Sequence, residues 1–340
     1  MVRRLQAGAP MPSLEGKVVV LTGASSGLGR AAAVQFSRKG ARLVLAARRQ
    51  TALEETAELC RRAGGEALVV QTDVTDEAAV RRLAEQALTL NGRIDVWVNN
   101  AGVSAFGQLE EVPFEVHRRV IETNVFGSMY GARAALPIFK SQRAGVLINV
   151  GSILSQVGQP YVPSYVISKF AVRGLTETLR SALADEPGIH VCSLLPYTID
   201  TPHFETGANY VGFRPHALPP VHSPEKVAAA LVELSEHPRR ERRVPRVAGL
   251  GLALHALFPS AVEKAILHLV REWHFDFTRQ EPSTGAVFSP TEGDAHSHGQ
   301  RPARVGLPGM LAWAAVHFLR LLAHGETTKP RASLRPHSAH

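Results

Sequence analysis

The run from Lys17 to Gly29, K-V-V-V-L-T-G-A-S-S-G-L-G, decides the fold. Its first part, Lys17 to Leu21, is a short apolar β-branched stretch of the kind that forms a strand buried on both faces of a parallel sheet. Thr22 to Gly29 then packs three glycines into a tight turn, and Arg30 to Lys39 continues with helical spacing. Glycines there let the main chain approach a pyrophosphate, while the helix start offers free N–H groups and a partial positive charge. Strand, glycine-rich turn and helix in this order read as a dinucleotide-phosphate site.

Working outward, a second strand is expected over Ala41 to Ala46. In dinucleotide folds an acid near the end of this strand binds the ribose 2′-hydroxyl. Here the chain offers Ala46-Ala47-Arg48-Arg49, with no acid. Arg48 is expected to meet a 2′-phosphate in a charge-assisted contact, which favours NADP(H) and leaves NAD(H) as the second choice. Helices are expected over 51–63 and 76–90, strands over 67–71, 94–98 and 145–150, and a long amphipathic segment over 113–139. A helix carrying Tyr165 should run to about Asp185, a strand should cover 189–195, and Ser223 should cap a helix reaching Glu236. A last strand is expected over 244–247, and the irregular stretch 203–222 reads as a lid. Repeated strand–helix units call for an α/β fold, a doubly wound parallel sheet, in which ligands bind beyond the carboxyl ends of the strands. Gly23, Asp73, Asn99 and Ser152 all fall at such ends.

Tyr165 and Lys169 stand four residues apart, on one face if the segment is helical, with Ser152 at a strand tip upstream. A free phenol ionises near ~10, and a nearby ammonium favours its anion. Tyr165 can then exchange a proton with an alcohol or carbonyl oxygen while Ser152 holds that oxygen. Alone, such a pair is more often a half-buried tyrosine beside a solvated lysine; the dinucleotide site upstream shifts the weight to catalysis.

The 340 residues carry a net charge of +8 and are 45% hydrophobic, enough for one large core. Basic residues cluster only at Arg239, Arg240, Arg242, Arg243 and Arg246, with no recognition motif or interleaved aromatics, so the cluster reads as a solvated face and no nucleic-acid partner is expected. Two cysteines, Cys60 and Cys192, exclude a disulfide framework and a thiol zinc site, and His296 and His298 lack a complementary ligand set, so no metal is expected. Residues 1–16 lack the apolar core of a signal peptide, and no run reaches the ~20 apolar residues of a membrane span. A cytoplasmic protein is expected, with or without peripheral membrane attachment.

With these residues in hand, the chain resembles the short-chain dehydrogenase/reductase family over roughly Leu14 to Gly249. The ordered motifs are T-G-x-x-x-G-x-G (Thr22 to Gly29), Asp73, N-N-A-G (Asn99 to Gly102), Asn124, Ser152 and Y-x-x-x-K. The resemblance implies that Ser152 orients the substrate oxygen, Tyr165 is the general acid/base, Lys169 lowers its pKa and binds the nicotinamide ribose, and Asn124 holds a relay water. It assigns cofactor contacts to Thr22, Gly23, Ser25, Ser26, Gly27, Leu28 and Gly29 in the turn. Beyond it the contacts implied are Arg48, Asp73 at the adenine, Val74, Asn99, Ala101 and Gly102, then Tyr165, Lys169, Pro196, Ile199 and Thr201. Where the family commonly has Pro-Gly after the sixth strand, this chain has Pro196-Tyr197, which can narrow the nicotinamide pocket or reach the substrate. A homodimer or homotetramer is implied.

The organisation expected is an N-terminal tail (1–13), the catalytic domain (14–249), a helical extension (250–280) interrupted at Pro259, a flexible linker (281–308), an apolar amphipathic helix (309–325) and a disordered tail (326–340). The apolar stretch 310–323 is too short to span a bilayer; docking on its own domain, covering a partner subunit and lying in a membrane interface all stay open. The function expected is NADP(H)-dependent interconversion of a hydroxyl and a carbonyl on a small molecule. Phe106, Ile153, Val157, Tyr161, Tyr197 and Phe204 suggest that the molecule is hydrophobic. The alternative is a catalytically silent NADP(H)-binding module tethered to a membrane or partner through its C-terminal helix.

Overall fold

Seven parallel strands form the centre of the computed structural model, which describes residues 14–245, 248–291 and 295–299 together with positions 309, 312 and 315. In chain order they are β1 (Val18–Thr22), β2 (Arg42–Ala47), β3 (Glu66–Gln71), β4 (Val96–Asn99), β5 (Gly145–Val150), β6 (Ile189–Pro196) and β7 (Glu241–Val244). They lie in the order β7-β6-β5-β4-β1-β2-β3. After β3 the chain crosses back to the other side of β1, so the order in which strands are added reverses between β1 and β4. A crevice opens at such a switch point, beyond the strand ends.

Side chains alternate along β1, and each set enters its own core. Val19 and Leu21 join Phe36, Leu53 and Leu231 on one face. Val18 and Val20 join Leu83, Trp97 and Phe139 on the other. The first face is covered by α1 (Gly27–Arg38), α2 (Gln50–Arg62) and, late in the chain, Pro224–Glu236; the second by α3 (Glu77–Asn91), Gly127–Gln142 and Pro163–Ala182. Burial on both faces is why these strands read as continuous apolar runs rather than alternating ones. Helix ends follow their local chemistry. Asp76 caps α3 by accepting a hydrogen bond from Ala78 N at 2.8 Å, and Gly92 ends it at φ 63°.

Three expectations change. The long segment 113–139 is two helices, α4 (Phe114–Ile121) and α5 (Gly127–Gln142), joined by a π-helical turn at Glu122–Phe126 that contains Asn124. The last strand is 241–244, not 244–247, and pairs with β6 from Glu241↔Ser193 to Val244↔Pro196. Two arginines of the supposed solvated cluster sit on this edge strand, where Arg242 pairs with Glu233 at 2.8 Å and Arg243 with Glu241. Charged side chains suit an edge strand because they discourage further pairing.

The third change concerns the linker, which is pinned over its described part. The helix with Tyr165 is α6 (Pro163–Ala182); beyond it come the short turn α7 (His203–Thr206), α8 (Pro224–Glu236), α9 (Ala248–Leu257) and α10 (Pro259–Trp273). Phe275–Arg279 then pairs antiparallel with Phe213–Pro215 from the lid region. Ser283 and Asn209 exchange main-chain hydrogen bonds of 2.8 and 2.9 Å, and Val287 is fully buried against Val112, Val116 and Val120. The N-terminal tail, the tail 326–340 and the apolar helix, apart from helical positions 309, 312 and 315, lie outside the described residues.

Candidate active site

The crevice at the switch point is a cleft of about 330 Å³. The glycine turn forms its floor at one end. A Cβ on Gly29 would stand 2.1 Å from Gly23 O, and Gly23 and Gly27 take φ of +67° and +54°. Only glycine lets the chain pass this closely into the start of α1. The resulting cradle, with Ser25, Ser26 and Leu28 beside it, suits a dinucleotide pyrophosphate. Asp73, Val74, Ala101, Gly102, Pro196, Ile199 and Thr201 line the same cleft.

Ser152, Tyr165 and Lys169 meet at the other end. Ser152 lies two residues beyond β5 and caps a 3-10 turn, its Oγ accepting from Leu154 N at 3.1 Å. Pro163 sets the first turn of α6, so Tyr165 and Lys169 both face the cleft. The Lys169 ammonium lies 5.4 Å from the Tyr165 ring centroid and donates to Val150 O at 2.9 Å. Burial pushes the Tyr165 phenol up to about 12, with the Ser152 hydroxyl beside it pulling the other way. Burial lowers Lys169 to about 8. The expectation that the ammonium depresses the phenol is therefore not met in the protein alone: desolvation wins, and the phenol is protonated at neutral pH. The His203 ring stands 5.5 Å from that of Tyr165, and burial with the Lys169 charge lowers it to about 4, so it is neutral.

Three expected site residues face elsewhere. Thr22 Oγ1 accepts from Asn100 N (3.0 Å) and Ala101 N (3.1 Å), so it braces β1 against the chain after β4. Asn99 is buried, accepting from Trp97 Nε1 at 2.8 Å and donating to Asn149 Oδ1 at 2.8 Å; its neighbour Asn100 is the one in the cleft. Asn124 lies behind the cleft wall, donating to Ser168 Oγ at 2.9 Å and Val103 O at 3.0 Å while accepting from Val103 N. Its side chain is used up in fixing α6 and the 103 loop. Of the apolar candidates, Phe106, Ile153, Tyr197 and Phe204 line the cleft, whereas Val157 and Tyr161 support it from behind. Tyr197, in place of glycine, packs together with Leu252 and Ile266 of the extension against the cluster of Ile153, Val157 and Leu195.

Arg48 holds a different partner from the one expected. Its guanidinium donates to the carbonyls of Phe288 (2.9 Å), Val287 (3.3 Å) and Ala286 (2.5 Å), and Arg49 donates to Thr291 O at 3.1 Å. Gly27 N, in the phosphate cradle, donates to His296 O at 2.8 Å. Residues 286–291 and 295–299 thus lie as a strap across the dinucleotide end. Asp73 remains below the usual carboxylate range: burial opposes this, but hydrogen bonds from Thr75 and the charges of Arg119 and Arg48 outweigh it. Periodicity could not have revealed the strap, since its hold runs through main-chain carbonyls.

The short chain dehydrogenase model matches residues 17–209, more than half the chain. The chain belongs to that family. This dehydrogenase is 38% identical over 257 residues to an uncharacterized oxidoreductase of Bacillus subtilis, covering 75% of this chain and 72% of that one. It is 37% identical over 191 residues to 3beta-hydroxysteroid dehydrogenase 1 of Eggerthella lenta, covering 56% and 73%. A short chain dehydrogenase/reductase from Burkholderia phymatum, solved in complex with NAD, superposes with a TM-score of 0.66 at 30% identity, covering 74% of this chain and 96% of that one. An alcohol dehydrogenase from Thermococcus sibiricus complexed with 5-hydroxy-NADP gives 0.59 at 30% identity, covering 67% and 96%. The dehydrogenase is an oxidoreductase with an NAD(P)-binding Rossmann fold, and acts on small molecules through CH-OH chemistry.

Proposed function

We propose that this dehydrogenase interconverts a ketone and a secondary alcohol on a hydrophobic small molecule, with NADP(H) preferred over NAD(H). The observation that carries the chemistry is the meeting of Ser152, Tyr165 and Lys169 at one end of a cleft whose other end is a glycine phosphate cradle. A bound nicotinamide supplies or accepts the hydride. Tyr165, protonated at neutral pH, donates its proton to the carbonyl oxygen in reduction and recovers one in oxidation. Ser152 holds that oxygen in line. Lys169, still largely cationic at pH 7, favours the phenolate left behind and can reach a ribose hydroxyl. The apolar walls, with Phe106, Phe204 and Leu218, match an apolar substrate, and the hydroxysteroid dehydrogenase relative acts on a molecule of that kind.

The preference for NADP(H) rests on Arg48, with no acid at the end of β2 and with its guanidinium already directed at acceptor oxygens. A 2′-phosphate would exchange those carbonyls for phosphate oxygens, a stronger acceptor set. The test measures ketone reduction and cofactor affinity in the wild type and Arg48→Ala. Reduction with NADPH is expected. Arg48→Ala should weaken NADPH about tenfold or more while sparing NADH. Absence of turnover with either cofactor would refute the function, and unchanged selectivity would refute the role of Arg48.

A further inference from the structure

The C-terminal extension, beyond the residues matched by the family model, places one ring in the cleft that the reaction above does not use. His274 follows α10 and lines the substrate end. It is 3% exposed, and neither Nδ1 nor Nε2 has a partner at normal hydrogen-bond geometry, the His216 main chain making only a weaker contact with the ring. Its main chain is fixed, with N donating to Val270 O at 2.9 Å and the carbonyl accepting from His216 N at 2.7 Å. The ring stands edge-on to Phe204 at 5.9 Å and near Phe275 and Phe106 at 5.0 and 5.8 Å. A phenyl ring would suit those neighbours without leaving two buried polar atoms unpaired, and such atoms are costly. A second unpaired atom borders the same chamber: Ser104 Oγ, 1% exposed, stands with the edge of Phe106 beside Gly207.

We propose that His274, assisted by Ser104, sets substrate specificity by hydrogen-bonding an uncharged oxygen function, a hydroxyl or carbonyl, at the end of an apolar substrate remote from the reacting carbonyl. The inference rests on the cleft being a carbonyl-reducing site. Burial keeps the imidazole neutral, with a pKa of about 4, although the His216 main chain nearby favours the charged form. A neutral ring offers one donor and one acceptor, which matches a hydroxyl fully and an anion poorly. Ring contacts of 5.5, 6.0 and 5.9 Å lead from Tyr165 through His203 and Phe204 to His274. That path bounds the separation from above, so a substrate up to several ring widths long, such as a rigid polycyclic skeleton, fits between the two groups. A trapped water is the competing occupant, and it would not discriminate between substrates.

Matched ketone pairs that differ only in the remote oxygen decide the matter. They are 5α-androstan-3-one with its 17β-hydroxy derivative, 2-decalone with a hydroxydecalone, and a 2-alkanone with its terminal alcohol. Wild type, His274→Phe, His274→Leu and His274→Gln are compared by kcat/KM, with thermal melts to verify folding. The wild type should favour the hydroxylated member of at least one pair by about tenfold, mainly through KM. His274→Phe should abolish that preference and retain turnover of the deoxy ketone, while His274→Gln keeps part of it. His274→Leu makes the same comparison should the phenyl variant fail to fold. Turnover without preference in the wild type, or an equal preference in the apolar variants, would overturn the role of His274 alone. No turnover of any ketone would instead refute the underlying function, and the role of His274 with it.

Discussion

Burial lowers the Lys169 ammonium from 10.5 to about 8, so the folded protein holds a charge that the unfolded chain would carry more easily. Between those two values this side chain binds more protons in the unfolded chain, so the Lys169 contribution to stability rises with pH across that window. Below about 8 the cost is present in full; above 10.5 it is gone. Lys169→Met should therefore stabilise the cofactor-free protein by about 1–2 kcal/mol at pH 7, less what is lost with the hydrogen bond to Val150 O, and abolish that pH dependence. Urea denaturation at pH 7 and 10 checks this; a less stable variant at pH 7 would show that the lysine is not strained. Turnover in the same variant should collapse. At this scale the sequence was legible where a residue type has one use, as with Gly29 or Tyr165. It was ambiguous where adjacent residues are alike. Asn99 and Asn100 differ only in which side of the pleat they take, and the register Asn99↔Asn149 sends the first into the core.

The central strands β1, β2, β4, β5 and β6 were readable because they are buried on both faces, and helices such as α3 and α8 because Asp76 and Gly92, or Ser223 and Pro224, mark their ends. The strap was not, because a segment rich in Gly, Pro and Ser carries no periodicity, and its partners are sequence-distant. Its far end is held by His298, whose Nδ1 lies 2.9 Å from Asp200 and Nε2 3.0 Å from Glu225. The contact with Asp200 leads in raising the His298 pKa above 6.5, supported by Glu225. A raised folded value means that the latch is at full strength below about 6.5 and is lost as pH rises through the folded pKa. Hydrogen exchange at 295–299, corrected for intrinsic rates, should therefore speed up as pH rises above about 6.5 in the wild type. In His298→Gln it should be fast throughout. Protection that ignores pH in the wild type would show that the imidazolium is not the latch. A dinucleotide phosphate that contacted Gly27 N or Arg48 would compete with the strap for those groups.

Across the whole molecule, two features lie outside the sheet's own logic. Among the described residues no helix is long and apolar enough to cross a membrane. Yet neighbouring elements leave large apolar side chains in solvent: Phe126 (43%) and Met129 (39%) around the start of α5, with Ile167 (56%) and Phe170 (44%) on α6. A second copy of the chain presenting the same face would cover them, since a two-fold contact is self-complementary. Light scattering should give a dimer mass, or a multiple of it, for the wild type and a smaller, folded species for Phe170→Glu. A wild-type monomer would contradict this arrangement. The α6 face was visible in the sequence only as ordinary apolar residues, because exposure is a property of the packed molecule.

The most direct measurement of the central claim, proton transfer from Tyr165 beside Ser152 and Lys169, is single-turnover oxidation of bound NADPH by a ketone in the wild type and Tyr165→Phe. The phenylalanine variant should still bind NADPH and react about 10²- to 10⁴-fold more slowly. Equal rates in the two proteins would contradict the assignment.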